Sequence, residues 1–177
     1  RDIPQLGINI PANTLRRFWT MVAHYHGQVL QVSELARSLG TSEPTARRYL
    51  DILCGTYVVR QLPPWFENLK KRQVKSPKVY IRDSGILHAL LGIPDPENLE
   101  SHPKLGASWE GFAAEQIFSI VGDRDAYFWA THAGAELDLL LFHRGKRLGV
   151  EFKYTEKLET SKSMHIATTD LQLDHLH

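Results

Sequence analysis

The stretch from Gly134 to Lys153, GAELDLLLFHRGKRLGVEFK, restricts the fold more tightly than any other part of the chain. Leu137, Leu139 and Leu141 alternate with Glu136, Asp138, Leu140 and Phe142, the run His143-Arg144-Gly145-Lys146 reads as a turn, and Leu148, Val150 and Phe152 alternate on the return. This is the pattern of a β-hairpin. A turn centred on Arg144-Gly145 sets the register, with Asp138 opposite Glu151 and Glu136 opposite Lys153. Strand side chains have period two, so the four charged groups are expected on one face. Cross-strand neighbours lie roughly 4.5–5.5 Å apart, and like charges at that distance destabilise a hairpin unless something sits between them. A divalent cation would do so, with Lys153 completing the charge balance. The alternative is a solvated hairpin face held by cross-strand ion pairs, each worth well under about 1 kcal/mol.

A net charge of +1 over 177 residues conceals an asymmetry. Residues 1–82 carry 13 Lys and Arg against 5 Asp and Glu, whereas residues 83–177 carry 8 against 15. The basic half points to a polyanion partner and the acidic half to a cation site, although a solvated surface has the same composition. No apolar run approaches the roughly 18 residues of a membrane span, and the start Arg1-Asp2-Ile3-Pro4 has no signal-peptide pattern. A cytoplasmic protein with no membrane partner is expected. The single cysteine, Cys54, excludes an intrachain disulfide and a cysteine-based zinc cluster.

Residues 1–12 have two prolines and no sustained period, and read as a linker from a module upstream. A helix capped by Asn13 or Thr14 follows, with Leu15, Phe18, Trp19 and Val22 at helical spacing. Ser33 is the expected cap of SELARSL, and Thr41 or Ser42 that of EPTARRYLDIL, the two being joined at Gly40. Thr45, Arg47 and Arg48 fall on outward positions of the second helix, as in the recognition helix of a helix-turn-helix. Two strand-like segments, residues 57–62 and 78–82, flank a basic loop with Lys70, Lys71, Arg72 and Lys75. That layout over residues 13–92 is a winged helix-turn-helix, and those seven residues are the candidate DNA contacts.

Asp83 or Ser84 is the expected cap of a helix SGILHALLG, residues 93–104, rich in proline, read as a linker, a long helix over residues 105–121 precedes the hairpin, and a last helix is expected over residues 161–170. Trp65, Trp109 and Trp129 read as core residues. The nine histidines form no HExxH spacing and read as surface or partly buried. Gly106 and Gly111 bracket four residues as in a P-loop, but Phe112 and Ala113 stand where Lys and Ser or Thr are needed, so the chain does not bind ATP by that motif.

A helix carrying Glu110 and Glu115, then Asp138 on one strand, then Glu151-x-Lys153 on the next resembles the PD-(D/E)XK nuclease superfamily, with Leu137 replacing the usual proline before the aspartate. The resemblance implies Mg2+ or Mn2+ held by Asp138, Glu151 and a helix-borne acid, with Lys153 orienting water for phosphodiester hydrolysis. Trp109, Phe112, Ala113, Ile117 and Ile120 mark the expected inward stripe of this helix, with Glu110 leaning toward that apolar side and Glu115 toward water, so Glu110 is the chosen acid. Glu136 is assigned as the ion-pair partner of Lys153, its role as a ligand remaining open.

More broadly, RDIPQLG, SELARSLG, RRYLDIL, LPPWFENL, KSPKVYIRDSGILHALLG, GASWEGF and GAELDLLL look like the C-terminal region of a prokaryotic AAA-type ATPase family. The resemblance implies an α/β chain of the α+β kind: a winged helix followed, over residues 105–177, by a restriction-endonuclease-like domain truncated after His177. It implies ATP only in a missing N-terminal module, with that module, DNA and a possible homo-oligomer as partners. Metal-dependent nuclease and non-catalytic binding module are the two functions it leaves open.

Overall fold

In the structure, a computed structural model, residues 10–155, 157 and 159–177 are described. Most of the expected linker, residues 1–9, lies outside them. Helix α1 (Ala12–His24) buries Leu15, Phe18 and Val22, whose three- and four-residue spacing lays them along one face. After the two-residue strand β1 (Gln28–Val29), helices α2 (Val32–Leu39) and α3 (Glu43–Gly55) are joined through Gly40, whose φ of 73° ends α2 in the left-handed region. Ser42 caps α3 as expected. The starts of α1 and α2 differ from expectation: their N-cap positions are Pro11 and Gln31, neither making a side-chain cap bond. Strands β2 (Val59–Leu62) and β3 (Lys78–Ile81) join β1 in an antiparallel sheet of order β1-β3-β2. Helix α4 (Ser84–Leu91) follows, its first turn capped by Asp83, which accepts the Ile86 N–H at 2.7 Å.

The stretch expected to be a linker contains a short helix, α5 (Pro96–Glu100), and leads into α6 (Leu105–Val121). Strands β4 (Ala126–Ala130), β5 (Glu136–His143) and β6 (Lys146–Val150) form an antiparallel meander. Helix α7 (Lys162–Asp170) then returns the chain so that β7 (His175–Leu176) lies parallel to β6, in the order β4-β5-β6-β7.

The hairpin register is the expected one, with Leu139 opposite Val150 and His143 opposite Lys146. Arg144 and Gly145 have φ of 50° and 76°, the left-handed pair that matches a two-residue turn to strand twist. Two details differ. Strand β6 ends at Val150, leaving Glu151 to Lys153 beyond the ladder. Strand β5 also carries one more residue than β4 between the pairs Tyr127–Leu140 and Trp129–Leu137, a bulge that breaks strict alternation.

The mixed α/β chain has three apolar clusters. The first lies within residues 10–91 and includes Phe18, Leu35, Leu50 and Leu87. In the second, Leu62 and Tyr80 from the first sheet meet Ala114 and Phe118 of α6 and Phe128, Leu139 and Leu141 of the second sheet. A third gathers Trp129, Leu137 and Leu140 under Ala167 and Leu171. The two halves therefore share a core across the expected linker. Helix α6 turns a different face inward from the expected one: Ser108, Gly111, Ala114 and Phe118 are buried, while Trp109, Phe112 and Ile120 are exposed. Small residues win because the first sheet approaches the helix closely; a Cβ on Gly111 would lie 2.4 Å from Nε2 of His26.

Candidate functional site

The acidic residues singled out in the sequence meet where α6 passes between the two sheets. Strand β3 presents Lys78 and Tyr80, two residues apart, α6 presents Glu110, and the bulge in β5 turns Asp138 toward the helix beside Leu139. Lys78 Nζ donates to Glu110 Oε1 at 3.2 Å and to Asp138 Oδ1 at 3.0 Å. Tyr80 donates its hydroxyl to the same Glu110 oxygen at 2.5 Å, and Asp138 Oδ2 accepts the Phe152 N–H at 3.1 Å. The last bond anchors the segment after β6 and brings Glu151 near. Lys153 Nζ donates to Glu151 Oε1 at 2.9 Å, while Glu151 Oε2 is buried without a partner among the described residues.

Electrostatics follow from this arrangement. Burial works against the charge on Lys78, but Glu110 and Asp138 outweigh it and hold its pKa above the ordinary lysine value. Glu110 is pushed upward by burial, with Lys78 opposing and Asp138 adding to the rise. Glu151 is likewise raised, first by burial and then by the Asp138 charge. Lys153 is raised chiefly through its bond to Glu151.

Glu110, Asp138, Glu151 and Lys153 are thus brought together, but two partners were missed by sequence reasoning. Lys78 and Tyr80 belong to a strand assigned to the wing. The available signal was the segment Lys78-Val79-Tyr80-Ile81, in which a lysine stands in a strand buried at all four positions. Glu136, expected to pair with Lys153, is exposed at the start of β5, where its backbone exchanges hydrogen bonds with the Ser163 hydroxyl.

Glu115 does not face water. It lies against the first sheet, bonded by Arg60 and by Arg82, and Arg60 also reaches Asp123. Farther along the same seam His26, expected near the surface, is buried. Its Nδ1 accepts the Ile81 N–H at 2.9 Å, which leaves Nε2 to donate to Ala107 O at 3.0 Å. Burial lowers its pKa to about 4.

A divalent cation does not fit the acidic site as it is held. Two of its three carboxylates are already bridged by the ammonium of Lys78, and among the described residues no group of three or more His, Cys, Asp or Glu is arranged to hold a metal.

The candidate DNA contacts are dispersed. On α3, Thr45 is bonded to the capping Ser42, Arg47 pairs with Glu43 at 2.9 Å, and Arg48 is exposed. The expected wing loop is not free. The Trp65 backbone N–H donates to Phe128 O at 2.7 Å and that of Val74 to Ala130 O at 2.9 Å, so residues 63–65 and 72–74 pair with β4 and the residues just after it, and partly cover that edge. Lys71 pairs with Asp170 at 2.5 Å, while Lys70, Arg72 and Lys75 are exposed. Among the described residues, no helix is long and apolar enough to cross a membrane.

Two family profiles match the chain: one described as Domain of unknown function (DUF8612) over residues 1–97, the other as Domain of unknown function (DUF4143) over residues 105–176. Uncharacterized proteins of Mycobacterium tuberculosis and Mycobacterium bovis are each 55% identical to it over 176 residues. The match covers 99% of this chain but 40% of each relative, so the chain spans about two fifths of their length. No solved structure matches it.

Proposed function

The chain belongs to the family described as Domain of unknown function (DUF8612), and because that description names no activity we propose a function from the site: a DNA-associated binding module of a prokaryotic AAA-type ATPase, with its nuclease-like acidic site held closed. The observation that carries this reading is the bridge from Lys78 Nζ to both Glu110 and Asp138. An internal ammonium neutralises the pair of acids that a nuclease would use for its metal.

Two orders of elements support the assignment of parts. The succession α1-β1-α2-α3-β2-β3, with sheet order β1-β3-β2, supports reading the first part as a winged helix. The succession α6-β4-β5-β6-α7-β7, with β7 parallel to β6, Asp138 on the second strand and Glu151-x-Lys153 after the third, supports reading the second as a restriction-endonuclease-like core. The ATPase module, ATP bound there and self-association belong to the same proposal and rest on the family resemblance.

A second reading, Mg2+- or Mn2+-dependent hydrolysis of DNA by Glu110, Asp138, Glu151 and Lys153, has one observation in its favour: the buried Oε2 of Glu151, without a partner among the described residues. It requires Lys78 to withdraw. Calorimetric titration separates the two. Binding-module function predicts no Mg2+ or Mn2+ isotherm that depends on Asp138, together with duplex DNA binding that weakens when Arg47 and Arg48 are both changed to Ala. Metal binding by the wild-type chain that Asp138→Ala abolishes would overturn the closed-site reading in favour of the nuclease.

A further inference from the structure

Residues 63–77 leave a groove between themselves, the N-terminal end of α2 and the turn after β4, with a volume of about 500 Å3, within the roughly 300–1,000 Å3 range of ligand sites. Its lining includes Gln31, Phe66, Arg72, Lys75 and His132, with no carboxylate among the described residues. Several basic side chains nearby are neutralised, Lys71 by Asp170, Lys78 by Glu110 and Asp138, and Arg147 by Glu67, whereas Lys70, outside the groove lining, is exposed like the two cations at the groove. Arg72 and Lys75 have no ion pair among the described residues and lie exposed at the groove.

The wall that carries them is fixed in advance. Gln73 accepts from Trp129 Nε1 at 2.9 Å and from the Glu67 N–H at 3.0 Å, donates to Glu67 O at 2.8 Å, and bridges to Thr131. Uncompensated cations on a rigid wall favour an anion, because little ordering entropy is lost on binding. Phe66 adds a second requirement. It is 51% exposed at the same groove. An exposed ring beside two cations suits a ligand that offers an aromatic face together with a phosphate, and only an unpaired base has its face free to stack.

We propose that this groove binds single-stranded nucleic acid, with successive phosphates on Arg72 and Lys75 and a base on Phe66. The proposal rests on the DNA-associated reading and adds to it the strandedness of the ligand and a contact surface separate from α3. It also gives the edge-covering path of residues 63–77 a function, since that path builds the groove wall.

Fluorescence anisotropy with labelled oligo(dT) of about 15 nucleotides, and with a duplex of the same length, tests it on the 177-residue chain. Phe66→Ala is expected to weaken oligo(dT) binding by about 5- to 150-fold, the loss of one stacked base, and to leave duplex binding unchanged. Arg72→Ala with Lys75→Ala is expected to reduce the salt slope for oligo(dT) by roughly 1.4, or about 0.7 for each phosphate. Circular dichroism that matches wild type excludes misfolding of the variants. Unchanged oligo(dT) affinity in Phe66→Ala, or no oligo(dT) binding by the wild type, overturns the proposal. If duplex still binds through Arg47 and Arg48 in that case, the groove alone is refuted. If neither nucleic acid binds, the DNA-associated reading falls with it.

Discussion

Beneath α1, α3 and α4 the interior is apolar, with Phe18, Leu50, Leu53 and Leu87 all fully buried. Along α6 the same chain buries His26, Lys78, Ser108 and Asp138, four of the five buried polar or charged residues among those described. The first region gains its stability from area removed from water, which is non-directional and tolerates exchange of one apolar residue for another. The second depends on matched partners. Each charge there is stable only because another element, distant in sequence, delivers its counter-ion or hydrogen-bond partner, and removal of one partner strands the other. A seam of this kind is expected to contribute little net stability compared with an apolar substitute.

The largest expected effect separates the value of the Lys78 cluster from the cost of breaking it. Lys78→Met should destabilise the fold by about 3–5 kcal/mol, because Glu110 and Asp138 remain buried together without a cation. The triple variant Lys78→Met, Glu110→Leu, Asp138→Leu should recover much of that loss. Urea unfolding of the two variants measures the difference. A triple variant less stable than the single one would show that the cluster is a strong net contributor, and the contrast with the apolar core would fail.

The pH dependence of the seam should be nearly as large. His26 has a folded pKa of about 4, whereas the unfolded chain takes up its proton near 6.5. Its contribution is therefore complete above pH 6.5 and is lost as pH falls toward 4, at about 1.4 kcal/mol per pH unit and about 3 kcal/mol in all. The unfolding free energy of wild type should decline more steeply between about pH 6.5 and pH 5 than that of His26→Gln. Equal slopes would remove His26 as the cause.

The smallest effect belongs to the apolar half and should be local. Asp83→Ala removes the cap of α4 and should cost about 1 kcal/mol by thermal or chemical unfolding. The loss should be the same at high and low salt to within a few tenths of a kcal/mol, since the cap is a short contact with backbone N–H groups and not a paired charge. Strong salt dependence would indicate that this half, too, is organised by long-range charge.

Much of the fold was legible in the sequence. The hairpin was given away by its period-two pattern and by Arg144-Gly145, α6 by its extent from residue 105 to 121, and the starts of α3 and α4 by Ser42 and Asp83. Glu110 and Asp138 were also identified as neighbours, although the face of α6 was misjudged. The large residues Trp109, Phe112 and Ile120 suggested an inward stripe, but the inward stripe is made of Ser108, Gly111 and Ala114. Hydrophobicity reports which residues prefer burial; it does not report how close a neighbouring element must come.

What the sequence by itself determined, then, was governed by neighbours within a few residues: the Ser42 and Asp83 caps, the Arg144-Gly145 turn, and the hairpin register from Leu139 opposite Val150 to His143 opposite Lys146. Only the tertiary structure decided that Lys78 from the first sheet lies between Glu110 and Asp138, that Glu115 meets Arg60 and Arg82, and that residues 63–65 and 72–74 pair along the β4 edge instead of standing in a free wing. The physical reason is range. Backbone hydrogen bonding and side-chain periodicity act locally and leave a pattern in the order of residues, whereas a buried ion finds its partner through space, and the 32 and 60 positions that separate Lys78 from Glu110 and Asp138 carry no trace of the pairing.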